Sequence, residues 1–102
     1  MSGGTLAKIF ENQRIVAVVT IEHAADALPL ADALRAGGVR AIEVTLRSDA
    51  ACSAIEAIAK ARPDAIVGAG TVRDARAFRA ARDAGAHFVV SPGFTPALHA
   101  AA

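Results

Sequence analysis

Tryptophan and tyrosine are absent from this 102-residue chain, and four phenylalanines are its whole aromatic complement. The 11 Lys plus Arg are offset by 10 Asp plus Glu and scattered without a basic block. Base stacking and phosphate tracking both lack their residues, which argues against a nucleic-acid partner. Cysteine occurs once, at Cys52, excluding an internal disulfide framework and any multi-cysteine metal site. That usage fits a reducing, cytoplasmic compartment. No run approaches the roughly 18 apolar residues that span a bilayer, and Met1 to Phe10 lacks the apolar centre of a signal peptide, so no membrane attachment is expected. The three histidines, His23, His87 and His99, show no metal-ligand spacing. Positions at a helix start, before a strand and on a helix surface explain them better than catalysis, and no metal or other cofactor is expected.

With 54% hydrophobic residues and 21% charged ones, the chain suits a single compact unit with one modest core. Four short runs rich in β-branched residues alternate with longer alanine-rich runs of helical spacing. The pattern predicts strands over Ile15 to Ile21, Ala41 to Leu46, Ala65 to Gly70 and Phe88 to Ser91. It predicts an N-terminal helix over Thr5 to Asn12 and helices beginning near His23, Asp49, Asp74 and Thr95-Pro96. Ala36-Gly37-Gly38 and Ala84-Gly85 place glycine where helix C-termini take left-handed backbone, and Pro63 stops the second crossover helix.

Parallel strands joined by helices give an α/β fold with right-handed crossovers. The segment Arg35-Ala-Gly-Gly-Val-Arg-Ala-Ile-Glu-Val-Thr is echoed by Asp83-Ala-Gly-Ala-His-Phe-Val-Val-Ser, each a glycine-capped helix leading into a strand. Such repetition suits a (β/α) barrel, although a doubly wound sheet would also produce it. Four βα units are half of an eight-stranded barrel. Residues 1–102 therefore read as a single partial domain, and the run Leu98-His-Ala-Ala-Ala102 has no helix-terminating signal. A half-barrel that self-associates through open strand edges is the non-enzymatic alternative, and a small flavodoxin-like anion-binding module is a further one.

Alternation along Ala41 to Arg47 sends Ile42, Val44 and Leu46 to one face and Glu43, Thr45 and Arg47 to the other. An unpaired carboxylate is costly in a sheet covered on both faces, whereas a barrel lumen can hold it. Glu43 and Arg47 lie roughly 13 Å apart along a strand, a spacing that brackets a small anion better than it forms a contact. Arg47 falls at the strand's C-terminal end, where barrel active sites lie, and its planar fork suits a carboxylate. The structural alternative is an ion pair of Glu43 with Arg47 that joins barrel layers.

The third strand ends in Val67-Gly-Ala-Gly-Thr-Val72. A dinucleotide fingerprint fails, because its third glycine would fall on Arg73. Gly68 and Gly70 imply either backbone room beside a ligand, with the Thr71 hydroxyl available, or a tight βα turn. Ser91-Pro-Gly-Phe-Thr95 closes the fourth strand, with Phe94 able to wall a pocket; a plain turn into a Thr95-capped helix explains the same letters.

Taken together, Val16-Ala-Val-Val-Thr20, Ala36 to Arg47, Ile66-Val-Gly-Ala-Gly-Thr-Val72 and Val90-Ser-Pro-Gly93 resemble the 2-keto-3-deoxy-6-phosphogluconate (KDPG) and 4-hydroxy-2-oxoglutarate aldolases. The resemblance implies the first four βα units of a TIM (β/α)₈ barrel with an N-terminal helix, a trimeric assembly in the full-length family, and a place in the Entner–Doudoroff pathway. It implies a class I lyase that cleaves KDPG to pyruvate and glyceraldehyde 3-phosphate through a lysine Schiff base. By the same resemblance Glu43 is the general acid/base, Arg47 binds the pyruvyl carboxylate, Thr71 helps hold the same part of the substrate and Pro92 lines the pocket. Glu43-Val-Thr-Leu-Arg47 favours the phosphogluconate or hydroxyoxoglutarate type over the phosphogalactonate type.

One family element is not in this chain. The Schiff-base lysine lies on a later strand, in a Phe-Lys-Phe-Phe-Pro type of motif. The lysines here are Lys8, on the N-terminal helix, and Lys60, near the end of the second crossover helix. Neither belongs at a strand's C-terminal end, and the phosphate site of such barrels follows strands seven and eight. These 102 residues alone are therefore expected to lack aldolase activity.

Overall fold

A computed structural model describes residues 15–91. The expected helices at Thr5 to Asn12 and from Thr95-Pro96, together with Lys8, Pro92, Phe94 and His99, lie outside the described residues. The strands are β1 (Val16–Val19), β2 (Ala41–Thr45), β3 (Ile66–Gly70) and β4 (Phe88–Val89), and the helices are α1 (Ala27–Ala36), α2 (Ala51–Ala61) and α3 (Ala75–Ala84). Each strand falls inside its expected span. A single 3₁₀ turn, Ala24–Asp26, leads into α1.

All neighbouring strands pair in parallel, in the order β1-β2-β3-β4. This order contains no reversal, so it corrects both the doubly wound and the flavodoxin-like alternatives, whose sheets switch direction at an internal strand. Right-handed crossovers then carry all three helices to one face. Burial agrees with that placement. Ile42, Val44, Val67 and Ala69 form one core with Ala27, Ala31, Ala54, Ile55, Ile58 and Ala81. The opposite face carries Val16 and Val18, which are 37% and 62% exposed, with Glu43, Gly68 and Phe88 beside them in register.

The helices are alanine-rich because they must lie close on a four-stranded sheet; Ala27, Ala54 and Ala81 have no exposed surface at all. Their ends are set unevenly. Asp74 caps α3, its Oδ1 accepting the Ala77 N–H at 2.7 Å. His23 and Ala50, at the starts of the 3₁₀ turn and α2, provide no side-chain cap. Gly85 ends α3 with φ +99°, and Gly38 takes φ +89° after α1, while Gly37 has the ordinary value of −87°.

At the N-terminal end of the strands, ion pairs clamp the crossovers together. Arg62, just past α2, grips Asp32 of α1 with both arms of its fork, Nε to Oδ1 at 2.6 Å and Nη2 to Oδ2 at 2.9 Å. Arg35 reaches Asp64 at 2.7 Å. The gap these four residues surround holds only about 10 Å³, room for at most about one water. Among the described residues, these two ion pairs brace this end of the molecule. Among the described residues no helix is long and apolar enough to cross a membrane.

Candidate active site

The C-terminal ends of the strands present a different surface. An open cleft of about 400 Å³ is lined by Leu46 and Arg47 after β2, Thr71 and Arg73 after β3, and Asp74 and Ala77 at the start of α3. Its volume falls within the range of small-molecule sites. The β2–β3 ladder continues past the strands to make this edge, with the Leu46 N–H donating to the Gly70 carbonyl at 2.8 Å. Arg47 and Thr71, far apart in sequence, are thereby brought to one opening.

Glu43 lies deeper, on the face of β2 turned away from the helices. It pairs in register with Gly68, yet its side chain leans along the strand toward the C-terminal end. There it covers Gly70: a Cβ built on Gly70 would meet Glu43 Oε2, with Glu43 Cδ at 2.9 Å and Cγ at 3.0 Å. The carboxylate is thus carried up to the residue preceding Thr71 of the cleft. The ion-pair alternative is corrected, because no salt bridge joins Glu43 to Arg47 among the described residues.

The two glycines of Val67-Gly-Ala-Gly-Thr71 receive a different account from the tight-turn alternative. Both lie inside β3, and neither has positive φ. Gly68 makes room for the Phe88 ring, which occupies the position of a Cβ, and Gly70 makes room for Glu43. The turn residue with left-handed backbone is instead Thr71, at φ +59°. A β-branched residue is a genuine outlier there, held at a cost of about 1–3 kcal/mol by surrounding structure. Such strain clusters at ligand sites.

Three supports were not legible from composition. Thr45, 7% exposed, shares a hydrogen bond of 2.8 Å with the Thr20 hydroxyl, tying the end of β1 to β2. Ser48 donates from its hydroxyl to the Ile21 carbonyl, anchoring the loop that follows Arg47. The His87 imidazole accepts the Val67 N–H on Nδ1 at 3.1 Å, while the His87 backbone N–H donates to the Val67 carbonyl at 2.7 Å. The imidazole thus starts the β3–β4 ladder, in keeping with its expected place before a strand. Arg73, which only fails a glycine position in the sequence pattern, lines the same opening as Arg47 because the fold lays β2 against β3. Pro92 lies outside the described residues.

Cys52 is a half-buried free thiol on α2, packed against the core. Lys60 stands in the last turn of α2, the end that leads toward the start of β3, and pairs with Glu56 at 2.8 Å. It is therefore at the opposite end of the sheet from the cleft. No group of three or more His, Cys, Asp or Glu among the described residues is arranged to hold a metal.

Comparison with known proteins fits this arrangement. A 2-dehydro-3-deoxy-phosphogluconate aldolase of Pseudomonas aeruginosa is 53% identical over 85 residues, covering 83% of this chain and 39% of the relative. The KDPG aldolase of Zymomonas mobilis, solved with 3-phosphoglycerate, matches with a TM-score of 0.84 and 44% identity over 94% of this chain and 46% of that one. The Legionella pneumophila KDPG aldolase, solved with pyruvate as a covalent carbinolamine intermediate, matches with a TM-score of 0.84 and 43% identity, over 91% of this chain and 45% of that one. This chain spans less than half the length of each, and its four parallel strands with the helices between them correspond to the N-terminal part of their TIM barrels. The profile of the family described as KDPG and KHG aldolase matches residues 6–102, nearly the whole sequence, and the chain belongs to that family.

Proposed function

We propose that this chain carries the proton-transfer and carboxylate-binding half of a class I aldolase site, in an enzyme that cleaves KDPG to pyruvate and glyceraldehyde 3-phosphate. The observation that carries the reading is the seating of the Glu43 carboxylate over Gly70, directly below the cleft that Arg47 and Thr71 line. A class I aldolase forms a carbinolamine when a lysine amine adds to the keto carbon, then an imine as water leaves. Each step moves a proton, as does the interchange between imine and enamine at the pyruvate methyl carbon. Glu43 is the group proposed to take and return those protons. Arg47 holds the carboxylate through its fork, and the Thr71 hydroxyl fixes the same end. Pro92 is proposed as a further wall of the pocket.

The finer parts of the reading come with the family: preference for KDPG or 4-hydroxy-2-oxoglutarate, a step of the Entner–Doudoroff pathway, a cytoplasmic setting and a homo-oligomer, trimeric in full-length members. The nucleophile is the part this chain is proposed not to supply. Incubation with pyruvate and borohydride, followed by intact-protein mass measurement, tests this. No reduced adduct is expected, and a pyruvyl adduct on Lys60 or Lys8 would contradict the assignment.

A second, non-catalytic reading has its own observation. Val16, Val18 and Val90 are 37%, 62% and 43% exposed, and β1 and β4 each pair on one side only among the described residues. A second copy of the chain covering that face would bury all three valines and restore eight strands. Light scattering during size exclusion tests it: a dimer is expected, and a monodisperse monomer counts against it.

A further inference from the structure

We propose that Ser48 is a positioning residue for the cleft: its hydroxyl, bonded to the Ile21 carbonyl, fixes the turn from which Arg47 reaches a ligand carboxylate. This rests on the reading above, in which Arg47 takes the carboxylate adjoining the keto carbon. Arg47 is exposed, stands past the last residue of β2 and forms no ion pair among the described residues, with Glu43 below it included. The direction of its side chain therefore depends on its backbone, and the bonds on either side of it set that backbone.

Two sheet contacts precede Arg47. The Thr45 and Thr20 hydroxyls share a bond of 2.8 Å, and the Leu46 N–H donates to the Gly70 carbonyl at 2.8 Å, so the chain is tied to β1 and to β3 up to the residue before Arg47. Past Arg47 the sheet gives no further support: β2 has ended, and α2 begins only at Ala51, with no side-chain cap from Ala50. The backbone bonds there are local, from the Ala51 N–H to the Ser48 carbonyl at 3.3 Å and from the Ala54 N–H to the Ala50 carbonyl at 2.9 Å. Among the described residues, the half-buried Ser48 hydroxyl is the group that carries this turn across to the end of β1. Its acceptor is well held, since Ile21 is 2% exposed and packed in the core. Ala51, Ala54, Ile55 and Ile58 already hold α2 in that core, so the bond matters more to the turn than to the helix. A turn pinned at both Leu46 and Ser48 confines Arg47 between two fixed points. A side chain that starts from fixed backbone loses less freedom when it closes on a ligand.

The test is NMR titration of the full chain with pyruvate. Ser48→Ala is expected to weaken binding about fivefold, the scale of coupling between neighbouring groups. It should also raise the fast mobility of the Arg47 side chain, read by nitrogen relaxation at Nε. Ser48→Thr keeps the hydroxyl and should stay within about twofold of wild type. In an Arg47→Met background, Ser48→Ala should add less than about twofold, because its effect passes through the guanidinium. His87→Ala removes a side-chain bond to the backbone near the start of β3, away from the cleft, and so controls for general loosening. It should leave pyruvate affinity within about twofold of wild type. Unchanged affinity or Arg47 mobility in Ser48→Ala, no recovery in Ser48→Thr, a comparable loss retained in the Arg47→Met background, or an equal loss in His87→Ala would overturn the proposal. Arg47→Met alone judges the underlying reading: if it leaves pyruvate affinity unchanged, or if wild type binds no pyruvate, the carboxylate assignment itself fails.

Discussion

The Glu43 carboxylate occupies the space that a side chain on Gly70 would fill, one strand away and two residues nearer the C-terminal edge than its register partner Gly68. That lean turns a charge in the middle of a strand into one presented just beneath the cleft.

Gly70→Ala and Gly68→Ala are expected to separate function from folding. At Gly70 the new methyl meets the end of a flexible side chain, so the fold should lose about 1 kcal/mol or less while the carboxylate is displaced. At Gly68 it meets the ring of Phe88, which is 4% exposed, and overpacking should cost about 1–3 kcal/mol. Urea unfolding of both variants checks the order; equal losses would contradict it.

Thr71 is expected to trade stability for position. Thr71→Gly removes the left-handed strain but adds unfolded-chain freedom, so stability should stay within about 1 kcal/mol of wild type. Pyruvate binding should nonetheless weaken, since the hydroxyl is gone. Thr71→Val keeps the strain and loses the hydroxyl, and should weaken binding to a similar degree. Denaturant unfolding and titration of the two variants together report both effects.

Acid should weaken the clamp between α1 and α2. The hydrogen bond from Arg62, aided by its charge and that of Arg35, holds the Asp32 carboxyl below the usual carboxylate range. A lowered folded value means stability that is complete above the unfolded value, about 3.9, and lost as pH falls through the folded one. Arg62→Met should therefore lower Tm at pH 7, and the gap from wild type should narrow toward pH 2. A gap unchanged over that interval would show that the pair contributes nothing.

His87→Ala should loosen the start of β4, because the Val67 N–H loses its acceptor at 3.1 Å. A loss of about 1 kcal/mol is expected, water replacing part of the bond at this exposed position. Faster hydrogen exchange at Val67 should accompany it, and an unchanged exchange rate would contradict the role.

Much of this was written in the sequence, for identifiable reasons. Strand positions followed from β-branched runs, and the face assignment of Ile42, Glu43, Val44 and Thr45 followed from a period of two. Gly85 and Asp74 announced the ends of α3 because left-handed backbone and side-chain capping have narrow residue preferences. The glycines of β3 were ambiguous because their reason lies across the sheet, in Phe88 and Glu43, and no local pattern records a neighbour's side chain. Arg73 was missed for the same reason: its meaning depends on β2 lying beside β3. The strand order, which separates a barrel segment from a doubly wound sheet, is equally non-local.

The central claim is that residues 1–102 bring the proton-transfer group to an aldolase whose amine lies elsewhere. The most direct measurement replaces the matching segment of the Pseudomonas aeruginosa relative with this chain and compares KDPG cleavage by the chimera with that of its Glu43→Gln variant. The expected result is a chimera that turns over, with kcat falling about 10²-fold or more in Glu43→Gln, the scale of a lost general acid/base. A Glu43→Gln chimera that keeps the kcat of its parent would contradict it.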